Sequence, residues 1–109
     1  MEELKAVLVE TCNIASIYYA MYLSETQFEM DDELKTQFAK LSKSLSDFSQ
    51  EHPIIGDHNV NIYYKDFKDS LIPIIDHLIN EPDGQSSFEF HFVQAIMYMN
   101  ALLGVLSRV

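Results

Sequence analysis

Four histidines and one cysteine are the side chains in this 109-residue chain that are best suited to metal binding or catalysis. His52 and His58 share one predicted loop with Glu51 and Asp57, which is compatible in principle with a bound divalent ion. The chain has no HxxxH, HExxH or CxxC spacing, and isolated loop histidines are usually exposed to solvent. We therefore predict no metal site and no cofactor, and keep an ion at His52 and His58 as an alternative.

Catalytic machinery is equally hard to assemble from these residues. Asp66, Ser70 and His77 project to one flank of a predicted helix, but Ser70 and His77 are about 10 Å apart along its axis. That separation excludes a direct hydrogen bond between a nucleophile and its base. Cys12 has no assignable base, and the chain has no glycine-rich phosphate loop. We expect a protein that is not an enzyme.

The elements that carry these residues are helical, and the last one is the most informative. Residues 88–109 read FEFHFVQAIMYMNALLGVLSRV, with Glu89 and Arg108 as the only fully charged side chains. Seven apolar residues recur at helical spacing, namely Phe88, Phe92, Ala95, Met99, Leu102, Leu103 and Leu106. Four others fall outside that stripe, namely Phe90, Val93, Met97 and Val105. A helix that is apolar on two sides must be surrounded by protein, either its own fold or a partner.

The first predicted helix, residues 2–23, has the same character. Its core stripe consists of Leu4, Val7, Leu8, Thr11, Ile14, Ala15, Tyr18 and Tyr22. Val9, Ile17 and Ala20 lie outside the stripe, so its opposite face is also far from polar. We predict an interface made by the outer faces of the first and last helices: Val9, Ile17, Ala20, Phe90, Val93, Met97 and Val105.

The two middle helices need mainly one buried face each. The second, residues 31–50, carries a heptad seam of Leu34, Phe38, Leu41, Leu45 and Phe48. The third begins near Asp57 or Asn59 and reaches Asn80, with a stripe of Val60, Tyr63, Tyr64, Phe67, Leu71, Ile74, Ile75 and Leu78. Pro73 lies inside it, which predicts a kink near Asp69 or two shorter helices.

Local signals mark the joints between these helices. Ile54 and Ile55, in the loop between the second and third helices, are expected to fold back over one end of the core. Ser86 and Glu89 have the spacing of a capping box at the start of the last helix. Three glycines and three prolines in the whole chain are too few for a many-turned β-sandwich. The prediction is an all-α, antiparallel up-and-down four-helix bundle, with residues 1–109 as one domain.

The balance of charge limits the partners. Seventeen acids against seven bases give a formal net charge of −10, which repels phosphate backbones and anionic lipid headgroups. We therefore expect no direct nucleic-acid binding and no membrane binding, and a basic protein surface is the favoured partner. Five acids cluster before the second helix, namely Glu25, Glu29, Asp31, Asp32 and Glu33. Helix capping explains them most simply, and an acidic patch that a partner recognises is the alternative.

The expected location is the cytoplasm. A single cysteine permits no disulfide within the chain, and the acidic start lacks the basic character of a secretory signal. Residues 6–23 are apolar but include Glu10, Thr11, Asn13 and Ser16, which suit a bilayer poorly.

These features favour a non-enzymatic, acidic protein-binding module, such as an adaptor, an inhibitor or an immunity-type regulator, that forms a homodimer through its first and last helices. One alternative is an acidic mimic of nucleic acid that blocks a DNA- or RNA-binding protein. A second alternative is a bundle that binds a small ligand or a metal through its histidines.

Overall fold

The computed structural model describes residues 1–24, 31–80 and 88–109, and these residues form four α-helices without a strand. In chain order the helices are α1 (Glu2–Leu23), α2 (Asp32–Glu51), α3 (His58–Asn80) and α4 (Phe88–Leu106). The bounds of α1, α2 and α3 fall within one residue of those predicted from the sequence.

The helices are arranged as a ring. Helix α1 packs against α2 and α4, and α3 packs against the same two neighbours. Among the described residues, the diagonal helices have no Cα atoms within 8 Å of each other and meet through core side chains such as Phe38 of α2 and Phe92 of α4. The body is elongated and measures 43 × 22 × 22 Å. The predicted all-α, up-and-down four-helix bundle is confirmed.

One continuous core joins all four helices. The predicted seam of α2 is confirmed, since Leu34, Phe38, Leu41, Leu45 and Phe48 are all buried. Helix α4 contributes Phe92, Ala95, Met99, Leu102 and Leu106 from its predicted stripe. Because each large apolar side chain stabilises the fold by about 1.5–3 kcal/mol when it is fully buried, these rows fix the inner face of each helix.

A polar pair lies inside the core between α1 and α2. The Thr11 hydroxyl donates to the carbonyl oxygen of Val7 at 2.7 Å, and the Gln37 side-chain amide donates to the Thr11 oxygen at 2.9 Å. Both side chains are buried. The hydrogen bonds offset the desolvation of these two polar groups, and the pair links a defined point on α1 to a defined point on α2.

The loop between α2 and α3 buries one of its two isoleucines. Ile55 is buried and its backbone N–H donates to the Asn61 side chain, whereas Ile54 is exposed, so the expectation that both fold inward is wrong for Ile54. Gly56 adopts φ +62°, and a Cβ there would lie 2.8 Å from Val60. Glycine therefore satisfies both the backbone and the packing at this turn. Asp57 then caps α3 by accepting from the Val60 N–H at 2.9 Å.

Helix α3 runs through Pro73 without a break, so the alternative of two shorter helices is wrong. The ring of Pro73 is exposed to solvent, away from the core. A kink near Asp69 stays a prediction. The predicted capping box of Ser86 and Glu89 depends on a residue that lies outside the described part of the chain.

Candidate protein-interaction surface

The outer face of α4 carries three large apolar side chains in water. Phe90, Val93 and Met97 are 62%, 40% and 53% exposed. Phe92 and Met99, on the opposite side of the same helix, are buried in the core. A single helix thus has one apolar face that the fold uses and a second that it does not.

Helix α1 presents a similar surface. Val9, Ile17 and Ala20 are all exposed, and Ile17 is 61% exposed. Met21 and Leu23, near the end of the same helix, are exposed as well. Six of the seven side chains predicted for an interface therefore lie at the protein surface, although their use as an interface stays a prediction.

Val105 is the exception, and the prediction that it lies on the outer face is wrong. Its side chain is 9% exposed and belongs to the core cluster. Position 105 lies about 80° around the helix from Met97, on the flank that faces α3. Helix α4 packs against both α1 and α3. The arc of α4 that is buried is therefore wider than the stripe of seven apolar residues predicted from the sequence.

Charge is distributed unevenly between the helices. Residues 11–24 of the α1 segment and residues 90–107 of the α4 segment contain no Asp, Glu, Lys or Arg. Helix α2, by contrast, places Lys40, Lys43 and Asp47 on its exposed surface. The apolar surface is therefore also the part of the molecule with the weakest local charge.

A groove of about 510 Å³ lies between the start of α3 and the end of α4. Its lining includes Tyr63, Phe67, Ala101, Gly104 and Val105. Tyr63 is 56% exposed, with its ring stacked on Phe67 at 6.0 Å between centroids. A Cβ added at Gly104 would have no atom within 4 Å, so the helix surface is open at that point.

Two groove residues were not recognised from the sequence. Tyr63 belongs to the apolar stripe predicted for α3, yet it is exposed, whereas its neighbour Tyr64 is buried. Periodicity alone does not distinguish these two residues. Gly104 did carry a usable signal. Glycine inside an exposed helix costs about 1 kcal/mol relative to alanine, which indicates a packing or functional reason for its presence.

The predicted acidic patch is only partly within the described residues. Asp31, Asp32 and Glu33 are exposed at the start of α2, whereas Glu25 and Glu29 lie outside the described part of the chain. Asp31 is the N-cap of α2 and accepts from the Leu34 N–H at 2.9 Å. Capping therefore accounts for Asp31, as the simpler of the two explanations predicted.

Two tyrosines of α1 hydrogen-bond to carboxylates at the starts of other helices. The Tyr18 hydroxyl donates to Asp31, which raises the pKa of Tyr18 to about 12 and lowers the pKa of Asp31 below its usual value. The Tyr22 hydroxyl donates to Glu89 at 3.0 Å, and this bond raises the pKa of Tyr22. The end of α1 is thereby connected to the first turns of both α2 and α4.

The histidines lie in two places. His52 and His58 are exposed at the α2–α3 loop, and the ring of His52 packs against Phe48 at 4.7 Å between centroids. His77 and His91 meet between α3 and α4, with ring centroids 4.3 Å apart. Within residues 1–24, 31–80 and 88–109, no group of three or more histidine, cysteine or acidic side chains is placed to hold a metal ion.

Cys12 is a buried side chain, and burial raises the pKa of its thiol. Asn100 and Ser16 hydrogen-bond to it, which opposes that rise in part. A buried thiol with a raised pKa is a weak nucleophile, because the thiolate is the reactive form.

Helices α1 and α4 are also long and apolar enough to cross a membrane, judged by length and composition alone. The same is true of many core helices of soluble proteins, and in the described part of this chain both helices belong to one bundle. This property is weak evidence for a membrane location, and the expectations of no membrane binding and a cytoplasmic location stay predictions.

No protein-family model, curated protein or solved structure matches this chain.

Proposed function

We propose that this protein is a non-enzymatic, acidic protein-binding module whose contact surface is the outer apolar face of α4, extended by that of α1. The observation that carries the proposal is the exposure of Phe90, Val93 and Met97 on one helix face. Apolar side chains scattered singly over a surface need no explanation, whereas contiguous apolar patches are typical of interaction sites. An aromatic ring and a flexible methionine are side chains that anchor and adapt at interfaces.

The distribution of charge supports the same proposal. The centre of a protein interface is depleted in charged residues, and residues 90–107 contain no acid or lysine or arginine. The acids lie elsewhere, where they keep the molecule soluble. Apolar contact supplies the affinity in this proposal, and charge influences the rate of encounter.

The acidic mimic of nucleic acid is less well supported. Such a mimic needs rows of acids that resemble a phosphate backbone. Asp66, Asp69 and Asp76 are exposed on α3, but Lys65 and Lys68 are interspersed with them. Lys68 Nζ lies 3.6 Å from Asp69 Oδ1, and this ion pair neutralises part of the row of acids. The apolar surface is the stronger candidate because nothing comparable interrupts it on α4.

Site-specific photo-crosslinking tests this function. A photoreactive amino acid at position 97 is expected to give one or a few adducts of discrete mass in cells, since the side chain there would lie within the contact. The matched control is position 46, because Ser46 is also exposed but lies on α2. Mass spectrometry identifies what is attached at each position.

When the crosslinking is repeated in cell lysate, the yield of adduct should persist from about 0.05 M to about 0.5 M salt, because apolar contacts are not screened. An adduct that disappears over this range would support acidic mimicry instead. Equal labelling at positions 97 and 46, or lipid adducts alone at position 97, would overturn protein binding through this face.

A further inference from the structure

We infer that the occupant of this face is a second copy of the chain, with the two α4 helices antiparallel and Met97 at the two-fold axis. This inference rests on the proposed function and specifies its partner. It comes from the pairing of side-chain sizes along α4, and from the groove beside α3.

Antiparallel pairing about Met97 matches large residues to small ones. In that register two positions lie at the same level when they are equally far from residue 97, so Phe90 faces Gly104 of the second copy, and Val93 faces its Ala101. Residues 90, 97 and 104 stay on one side of the helix because seven residues are close to two turns. Each copy therefore supplies both the projecting side chains and the space that receives them.

The groove provides the space for the Phe90 ring. Gly104 leaves the surface open, and Tyr63 and Phe67 form an aromatic wall beside it. Within one copy, Phe90 and Gly104 are about 21 Å apart along the helix, so the ring cannot occupy its own groove. A two-fold dimer fills both grooves at once, because the contact is isologous.

Charge favours the antiparallel over the parallel arrangement. Glu89 and Arg108 are the only fully charged residues in 88–109, and they lie at opposite ends of it. An antiparallel pair brings the acidic end of one copy near the basic end of the other. A parallel pair would place like charges together, whereas the repulsion between two chains of net charge −10 acts in both arrangements.

The surface is large enough for a stable dimer. The longest face of the molecule measures 43 by 22 Å, whereas a standard interface buries about 800 Å² on each partner. Helices α3 and α4 pack against each other along one side of the bundle.

Cysteine crosslinking distinguishes the register. In a Cys12→Ser background, Met97→Cys is expected to form a disulfide between copies under mild oxidation, because both thiols lie at the axis. Gly104→Cys is the matched control on the same face, since its two thiols would be about 21 Å apart. Crosslinking of Met97→Cys should exceed that of Gly104→Cys by about tenfold or more. Equal crosslinking at both positions would indicate parallel pairing and overturn the register.

Gly104→Leu tests the groove without endangering the fold. A Cβ at position 104 has no atom within 4 Å, and leucine favours the helix, so the monomer should remain folded. Self-association measured by sedimentation velocity should weaken by about tenfold or more, because the Phe90 ring loses its site. Ala39→Leu on the exposed side of α2 is the control and should leave the dimer unchanged.

A wild-type chain that sediments at 12.6 kDa at all accessible concentrations would overturn the inference. If position 97 still captures a different protein in cells, the proposed function stands and only the identity of the partner is wrong. If position 97 captures no protein at all, both fail.

Discussion

Helices α2 and α4 each pack between two neighbours, and each buries a row of large apolar side chains spaced three and four residues apart. They differ on the side that faces water. Helix α2 places lysines, serines and an aspartate there, whereas α4 places Phe90, Val93 and Met97. The fold needs only the inner rows, so the outer face of α4 is not explained by the stability of the bundle.

The difference between the two helices separates folding from recognition along the chain. A polar outer face on α4 would have served the fold as well and would have kept the surface more soluble. Three apolar side chains are present there instead, beside an open groove. Mutations on α4 should therefore fall into two classes, those that unfold the bundle and those that change only its association.

The largest expected effect comes from two phenylalanines two positions apart on α4. Phe92→Ala should lower the free energy of unfolding by about 3–5 kcal/mol, because it removes a buried ring and leaves a cavity. Phe90→Ala should change it by about 0.5 kcal/mol or less in the monomer. Urea denaturation at low protein concentration measures both. A large loss for Phe90→Ala would mean that this ring belongs to the core, and the comparison would break down.

An intermediate effect is expected at the buried polar pair of Thr11 and Gln37. Helix α2 buries this polar side chain beside its apolar row, whereas the buried row of α4 is apolar. Thr11→Val removes the acceptor of the Gln37 amide and should destabilise the protein by about 1–3 kcal/mol, because a buried donor loses its partner. The double variant Thr11→Val, Gln37→Leu should recover most of that loss. A double-mutant cycle in urea provides the measurement, and strictly additive losses would show that the two side chains are not coupled.

The smallest effect is expected at the first turn of α2. Asp31→Ala should cost about 1 kcal/mol, because α2 loses its cap. Since the pKa of Asp31 is lowered in the fold, its contribution is present at neutral pH and declines as the pH falls through that lowered value.

The Tyr18 hydroxyl donates a hydrogen bond to Asp31, and the stability that comes from Tyr18 has the opposite dependence on pH. The pKa of Tyr18 is raised to about 12, so this contribution is present below the ordinary tyrosine value and is lost as the pH rises through about 12. The pKa values of Tyr22 and Tyr64 are also raised, so absorbance titration of the phenols should show more than one transition above the ordinary tyrosine value. The transition near pH 12 should move toward about 10 in Asp31→Ala. Glu89→Ala is the control, since Glu89 bonds to Tyr22 instead. A transition that stays near pH 12 in Asp31→Ala would show that Asp31 does not raise the pKa of Tyr18.

Periodicity was sufficient for the fold because each inner face repeats over several turns. The α2 seam from Leu34 to Phe48 is entirely buried, as its spacing indicated. Asp31 is the N-cap of α2, which agrees with the capping role that the sequence indicates for the acids before this helix. Six of the seven residues predicted for the outer surface are also exposed, since a helix has only a limited arc to bury.

The remaining details depend on tertiary contacts that periodicity does not encode. Val105 is buried because α3 packs against one flank of α4. The sequence pattern of a single helix does not show which helices lie beside it. Tyr63 and Tyr64 are adjacent in the sequence, yet only the position of α2 and its Ser49, which hydrogen-bonds to Tyr64 at 2.7 Å, distinguishes them. The groove requires two helices at once, so it is not visible in either one alone.

The hydrogen bond between Gln37 and Thr11 also determines how far α2 can slide along α1. The α2 seam repeats every seven residues, so a shift of one heptad would keep the apolar side of α2 turned toward α1. Such a shift would bring Ser44 to the level of Thr11 and move the Gln37 amide about 10 Å along α1, away from this acceptor. The apolar row sets which side of α2 faces α1, and this polar contact favours one alignment of the two helices along their length.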